Sequence, residues 1–81
     1  MHQSLKVTIR KNSGLLWQGE ALTFSSTNEL GNFDILPDHA HFVSSIKDFI
    51  KITTANGDKD WQIDTGVLSV VDGEVEVFLG Y

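Results

Sequence analysis

The sequence predicts one all-β domain, a sandwich or barrel of short strands. Three observations carry this: apolar and polar residues alternate over most of the chain, turn signals recur about every eight to twelve residues, and no capped helical pattern exceeds a turn or two. Leu5, Val7 and Ile9 alternate with Lys6, Thr8 and Arg10, the period of a half-buried strand. Asn12-Ser13-Gly14 then reads as a turn. Residues 15–24 form a second extended run in which Gly19 marks a bulge or a close backbone approach. Ser25-Ser26-Thr27-Asn28 is polar, competes for backbone hydrogen bonds, and is expected to form a loop.

A short apolar segment, residues 31–36, stops at Pro37, which lacks an N–H and belongs at a strand end or sheet edge. Phe42, Val43 and Ile46 form another short run, and residues 49–54 alternate again. Asn56-Gly57 is a two-residue hairpin signal of the type that needs positive φ at both positions. Trp61, Ile63 and Thr65 alternate with Gln62 and Asp64, and residues 67–71 form a separate β-rich run. Asp72-Gly73 is a second hairpin signal, after which Val75, Val77 and Leu79 alternate with Glu74, Glu76 and Phe78. No internal repeat or linker interrupts residues 1–81, so they read as a single domain.

Composition narrows the function. The chain has 81 residues, 6 basic against 11 acidic side chains, and a net charge of −5. Six scattered cations do not form the stripe that releases counterions from a nucleic acid. With no cysteine, neither a disulfide framework nor a zinc-thiolate site is available. No apolar run approaches the roughly 18 residues of a membrane span, and the first residues lack a signal-peptide pattern. The expectation is a small, acidic, soluble, intracellular domain, too small to carry much buried catalytic machinery.

Candidate chemistry is sparse. His39 and His41 share a strand face and lie near Asp34 and Asp38, so a metal site can be drawn; the alternative is a set of surface residues beside a proline turn. Residues 56–60 resemble the start of a calcium loop, but the twelfth position is Val67 or Ser69 rather than glutamate. Lys59 near a tight hairpin suits a lipoyl- or biotinyl-type carrier domain, set against an ordinary lysine on an acidic hairpin. Trp17 and Trp61 read as core or sandwich-edge residues rather than a stacking platform. No nucleophile elbow, triad arrangement or glycine-rich phosphate loop occurs, so the sequence indicates no enzyme and no cofactor.

One segment carries a family signature. Gly31-Asn32-Phe33-Asp34-Ile35-Leu36-Pro37-Asp38-His39-Ala40 resembles the Gly-Glu-(Phe/Leu)-Gly-(Ile/Val)-(Leu/Tyr)-Pro-Gly-His-Ala motif of the epsilon subunit of F-type ATP synthases. The opening strand, residues 5–9, is similar to the family's first. Trp17-Gln18-Gly19-Glu20-Ala21 resembles its Phe-Ser-Gly-Glu-Val step, and Gly66-Val67-Leu68-Ser69-Val70 its Gly-(Phe/Ile)-Leu-Glu-Val strand. The resemblance implies a flattened β-sandwich of about ten short strands at the foot of the central stalk. That subunit performs no chemistry; it binds the gamma subunit and the c-ring and helps couple rotation to ATP synthesis. It sits peripherally on the cytoplasmic face of an energy-transducing membrane, or the organellar equivalent.

The same resemblance places Glu29, Gly31, Asn32, Phe33, His39 and Phe42 toward the stalk and ring. Several positions depart from the family pattern. Asn32 stands where glutamate is usual, shifting any charge pairing to Glu29 or Asp34, and Asp34 and Asp38 stand where glycines are usual. His41 replaces a proline and Thr65 a glycine. Typical family members continue into a helical hairpin that can restrain ATP hydrolysis; the 81 residues match the sandwich alone, so inhibition by helix insertion is not expected of them.

Overall fold

The computed structural model describes residues 4–38 and 41–80. The strands are β1 (Leu5–Lys11), β2 (Gly14–Ala21), β3 (Thr23–Asn28), β4 (Gly31–Ile35), β5 (Phe42–Thr54), β6 (Gly57–Val71) and β7 (Glu74–Leu79). They form one hydrogen-bonded ribbon in the order β2-β1-β7-β6-β5-β3-β4. Every neighbouring pair is antiparallel except β1 and β7, the first and last strands, which run parallel at the ribbon's interior. There are seven strands among the described residues rather than about ten, because residues 42–54 and 57–71, which read as four runs, are two long strands.

What splits those runs is a bulge. Lys47 faces Thr65 and the next residue, Asp48, faces Ile63, so Asp64 is an extra residue in β6. Inserting one residue reverses which side of the ladder the following side chains face. Before the bulge Trp61 and Ile63 point inward; after it Gly66, Leu68 and Val70 do. On β5 the matching distortion places Asp48 at φ 70°. Gly66 follows directly, where an added Cβ would stand 3.0 Å from the Phe78 carbonyl and 3.4 Å from Ile46.

At this corner the ribbon folds over and becomes its own partner layer. One layer holds β2, β1, β7 and the adjoining halves of β6 and β5; the other holds the remaining halves with β3 and β4. Trp17 on β2 meets Trp61 on β6 with ring centroids 6.0 Å apart, although two strands, β1 and β7, separate β2 from β6 in the ribbon. Phe33 on β4 meets Phe42 on β5 edge-on at 5.5 Å. The two aromatic contacts thus close both sides of the sandwich. Between them lies a single buried cluster drawn from all seven strands, including Leu5, Phe24, Ile35, Ile50, Leu68 and Val77.

Several local expectations need correction. Residues 25–28 are not a loop but part of β3, because their polar groups find partners within the sheet. Ser26, fully buried, donates to the Phe49 carbonyl at 2.7 Å, where the β3–β5 register slips. Ser25 donates to Asp34 at 2.6 Å and Asn28 to Ser44 at 3.0 Å. The second extended run breaks at Leu22, whose N–H crosses to the Thr53 carbonyl at 2.7 Å as the chain changes layer. The β2 bulge is at Leu16, since Ile9 faces Trp17 and Arg10 faces Leu15; Gly19 instead gives room to the Trp17 ring, 2.8 Å from where its Cβ would be.

Both hairpin signals mark real turns, but with different geometry. Asp72 and Gly73 have φ of 50° and 77°, as their sequence predicts. The other turn places Ala55 and Asn56 between the paired Thr54 and Gly57, and only Gly57, at φ 120°, is left-handed. The Thr54 hydroxyl holds it, accepting from the Asn56 N–H at 3.1 Å and donating to the Gly57 carbonyl at 2.6 Å.

Ser26→Ala removes a buried donor and leaves the Phe49 carbonyl without it. The expected loss is about 1–3 kcal/mol in urea unfolding with an unchanged m-value. Wild-type stability in that variant would show that the bond does not support the slipped register.

Candidate docking surface

The residues placed by the family signature do not form one exposed patch. Glu29 lies in the two-residue tip of the β3–β4 hairpin, with its carboxylate 3.9 Å from the Lys47 ammonium. Gly31 and Asn32 are exposed at the start of β4. Phe33 and Phe42 are half-buried, packed on each other and on the core, so they close the sandwich edge. His39 lies outside the described residues. Asp34 and Asp38 are not among the positive-φ residues, so replacing glycine there carries no left-handed strain.

A different surface emerges from the ladder. Residues paired across neighbouring strands share a face, and Leu15, Arg10, Phe78, Val67 and Ser45 follow one another in register across β2, β1, β7, β6 and β5. Leu15, Phe78 and Val67 are 55%, 54% and 50% exposed on the outer side of their layer. Val43, diagonal to Val67, widens the band. The next row outward from the corner is polar on four strands, with Gln18, Thr8, Glu76 and Ser69 in register, and ends on Val43. Apolar side chains lined up in this way make the row a candidate docking surface.

Leu30 lies in the tip of the β3–β4 hairpin, 97% exposed, next to Asn28, whose side chain reaches Ser44 beside the row. The Leu30 N–H is held by the Asn28 side-chain oxygen at 2.8 Å. The signal for these residues was present in the sequence: Phe78 occupies the polar phase of β7 and Val67 the polar phase beside Leu68, while Leu30 sits between turn-forming residues.

The rival chemistries find less footing. Lys59 lies within β6, paired with Ile52, and not at the hairpin tip where a swinging arm needs it. His41 faces Asp72 at 3.3 Å, and among the described residues no three histidine or acidic side chains converge as metal ligands. Trp17 and Trp61 are turned toward the core and leave no open stacking platform.

The architecture defines a class: a small β-sandwich with no deep cleft among its described residues and with a candidate docking row on one outer face. The chain belongs to the family of the ATP synthase delta/epsilon chain β-sandwich domain, whose pattern matches residues 4–79. It is 39% identical over 57 residues to the ATP synthase epsilon chain of Xanthomonas euvesicatoria pv. vesicatoria, a match covering 68% of this chain and 41% of that one. The epsilon chain of Xanthomonas oryzae pv. oryzae gives the same identity and coverage. The chain therefore spans about two fifths of the length of these relatives.

Solved structures agree on the fold. A chain of the Euglena gracilis mitochondrial ATP synthase OSCP/F1/c-ring assembly superposes with a TM-score of 0.84 at 18% identity, covering 95% of this chain and 51% of that one. A chain of the Tetrahymena thermophila central stalk/c-ring assembly gives 0.82 at 15%, covering 99% and 66%.

Because Phe33 and Phe42 close the sandwich together, their truncations should not be additive. A double-mutant cycle of Phe33→Ala and Phe42→Ala should give a coupling of about 0.5–1.5 kcal/mol in denaturant unfolding. Strictly additive losses would mean that the two rings contribute separately.

Proposed function

We propose that this domain serves in a non-catalytic subunit of the central stalk of an F-type ATP synthase, binding the gamma subunit and the c-ring. It helps transmit ion-driven rotation to ATP synthesis from a peripheral position on the cytoplasmic face of the membrane, or its organellar equivalent. The observation that carries this is the apolar row on the outer face of a sandwich of that family. Two of the structural neighbours come from assemblies that contain a c-ring.

Coupling by contact requires a part that does not deform. Cross-tied ladders and aromatic contacts at both sides make the sandwich stiff, and stiffness keeps the rotor's two attachments in fixed relation. On this reading the row from Leu15 to Val67 faces gamma. The hairpin tip with Glu29, Gly31 and Asn32, together with His39, faces the ring end. Phe33 and Phe42 position that tip.

Expressed in its own cell, the tagged chain should co-purify with gamma and the c-ring. The pair Leu15→Ser and Phe78→Ser should reduce recovery of gamma at least about tenfold, while Lys51→Gln on the other layer leaves it unchanged. Recovery of neither partner by the wild-type chain would contradict the reading. The described residues contain no helix, so the isolated 81-residue polypeptide should restore coupling to a depleted complex without suppressing its ATP hydrolysis. Strong suppression would contradict that part.

A further inference from the structure

We infer that the partner of the apolar row is a helix laid across the strands, carrying a carboxylate opposite Arg10 and an aliphatic side chain beside Leu30. The inference rests on the row being the gamma-facing surface and adds the chemistry of what it binds.

The shape comes first. Five neighbouring strands span four spacings, about 19 Å, and over that length the row holds apolar Leu15, Phe78 and Val67 with polar Arg10 and Ser45, one residue wide except where Val43 broadens it. A helix of about 13 residues has the same length and presents one apolar stripe. A partner strand would instead seek the backbone groups of a sheet edge, and this row lies on the face of the sheet.

Charge is the more demanding constraint. Arg10 sits in the row between Leu15 and Phe78, is exposed, and has no ion pair or side-chain hydrogen bond among the described residues. Any molecule that covers Leu15 and Phe78 removes the guanidinium from water. A buried charge without a partner is strongly unfavourable, so a stable complex must bring an anion to it. Lys47, further along the same end, is already faced by Glu29 at 3.9 Å. The demand therefore falls on Arg10.

A third feature fixes the register. At the β5 end of the row a notch of about 100 Å³ opens between the hairpin tip and the bulge, lined by Asn28, Glu29, Ser45, Ile46, Lys47 and Thr65. Ser45 belongs both to the row and to the notch. Leu30 follows the lining residue Glu29 in the hairpin tip, with its backbone already fixed by Asn28, so little ordering cost remains when it is covered. One aliphatic side chain of the partner helix fits there.

The test is binding to the purified gamma subunit of the same organism, with Arg10→Met, Arg10→Glu, Leu30→Asn and Phe78→Ser. If a carboxylate faces Arg10, Arg10→Met leaves that carboxylate unpaired. Affinity then falls at least about tenfold, Arg10→Glu falls further, and the salt dependence of binding flattens. Leu30→Asn and Phe78→Ser should also weaken binding. If Arg10→Met binds equally well or tighter while Phe78→Ser weakens, no carboxylate is present and the inference is overturned. Unchanged affinity in all four variants removes the row itself and overturns it too, leaving the rotor reading standing. No binding by the wild-type chain refutes the rotor reading, and the inference with it.

Discussion

The structure depends on one inserted residue. Asp64 has no counterpart on β5, and its presence shifts the alternation of β6 by one residue, so that odd-numbered side chains before it and even-numbered ones after it share one face of the ladder. Without that shift, Trp61 and Ile63 could not share a core with Leu68 and Val70, since all four lie on one continuous strand. The bulge lets two long strands serve two layers. An 81-residue chain thereby builds a sandwich from a single ribbon, without separate sheets to assemble. The corner also gathers Gly66, the strained Asp48 and the slipped β3–β5 register, so that local irregularities concentrate where the fold turns.

Once the layers face each other, each edge of the ribbon has a neighbour. The two aromatic pairs close the sides, and the first and last strands pair in the interior, so the ladder is complete only when the whole chain has folded. The outer faces are then free to carry recognition. On one of them the ladder aligns Leu15, Phe78 and Val67 in a row near the corner, with acidic side chains further along the strands. The same register that builds the core thus sets the spacing of the docking residues.

Much of this was legible in the sequence, and the gaps have physical causes. The class of fold followed from alternation, and the Asp72-Gly73 turn was read with its correct φ signs. The bulge was visible only as a loss of phase between Ile63 and Gly66, which looks the same as a strand end. Ser26 reads as a loop residue because its hydroxyl competes with backbone hydrogen bonding; here it replaces a bond that the slipped register lacks. Phe33 and Phe42 stand in and near a recognisable motif and invite a binding role, yet they pack edge-on inside the clasp. The docking row was hidden for a different reason. Its members come from five strands, and only the register brings them into line.

Asp64 is thus the residue on which the division of one ribbon into two layers turns. The most direct test is the deletion of Asp64 alone, followed by near-ultraviolet circular dichroism of the paired tryptophans and by denaturant unfolding. Residues 57–63 should then be forced to expose Trp61 and Ile63, so the tryptophan signal collapses and cooperative unfolding is lost. A variant that keeps the native signal, with a stability within about 1 kcal/mol of wild type, would show that the corner does not depend on the inserted residue.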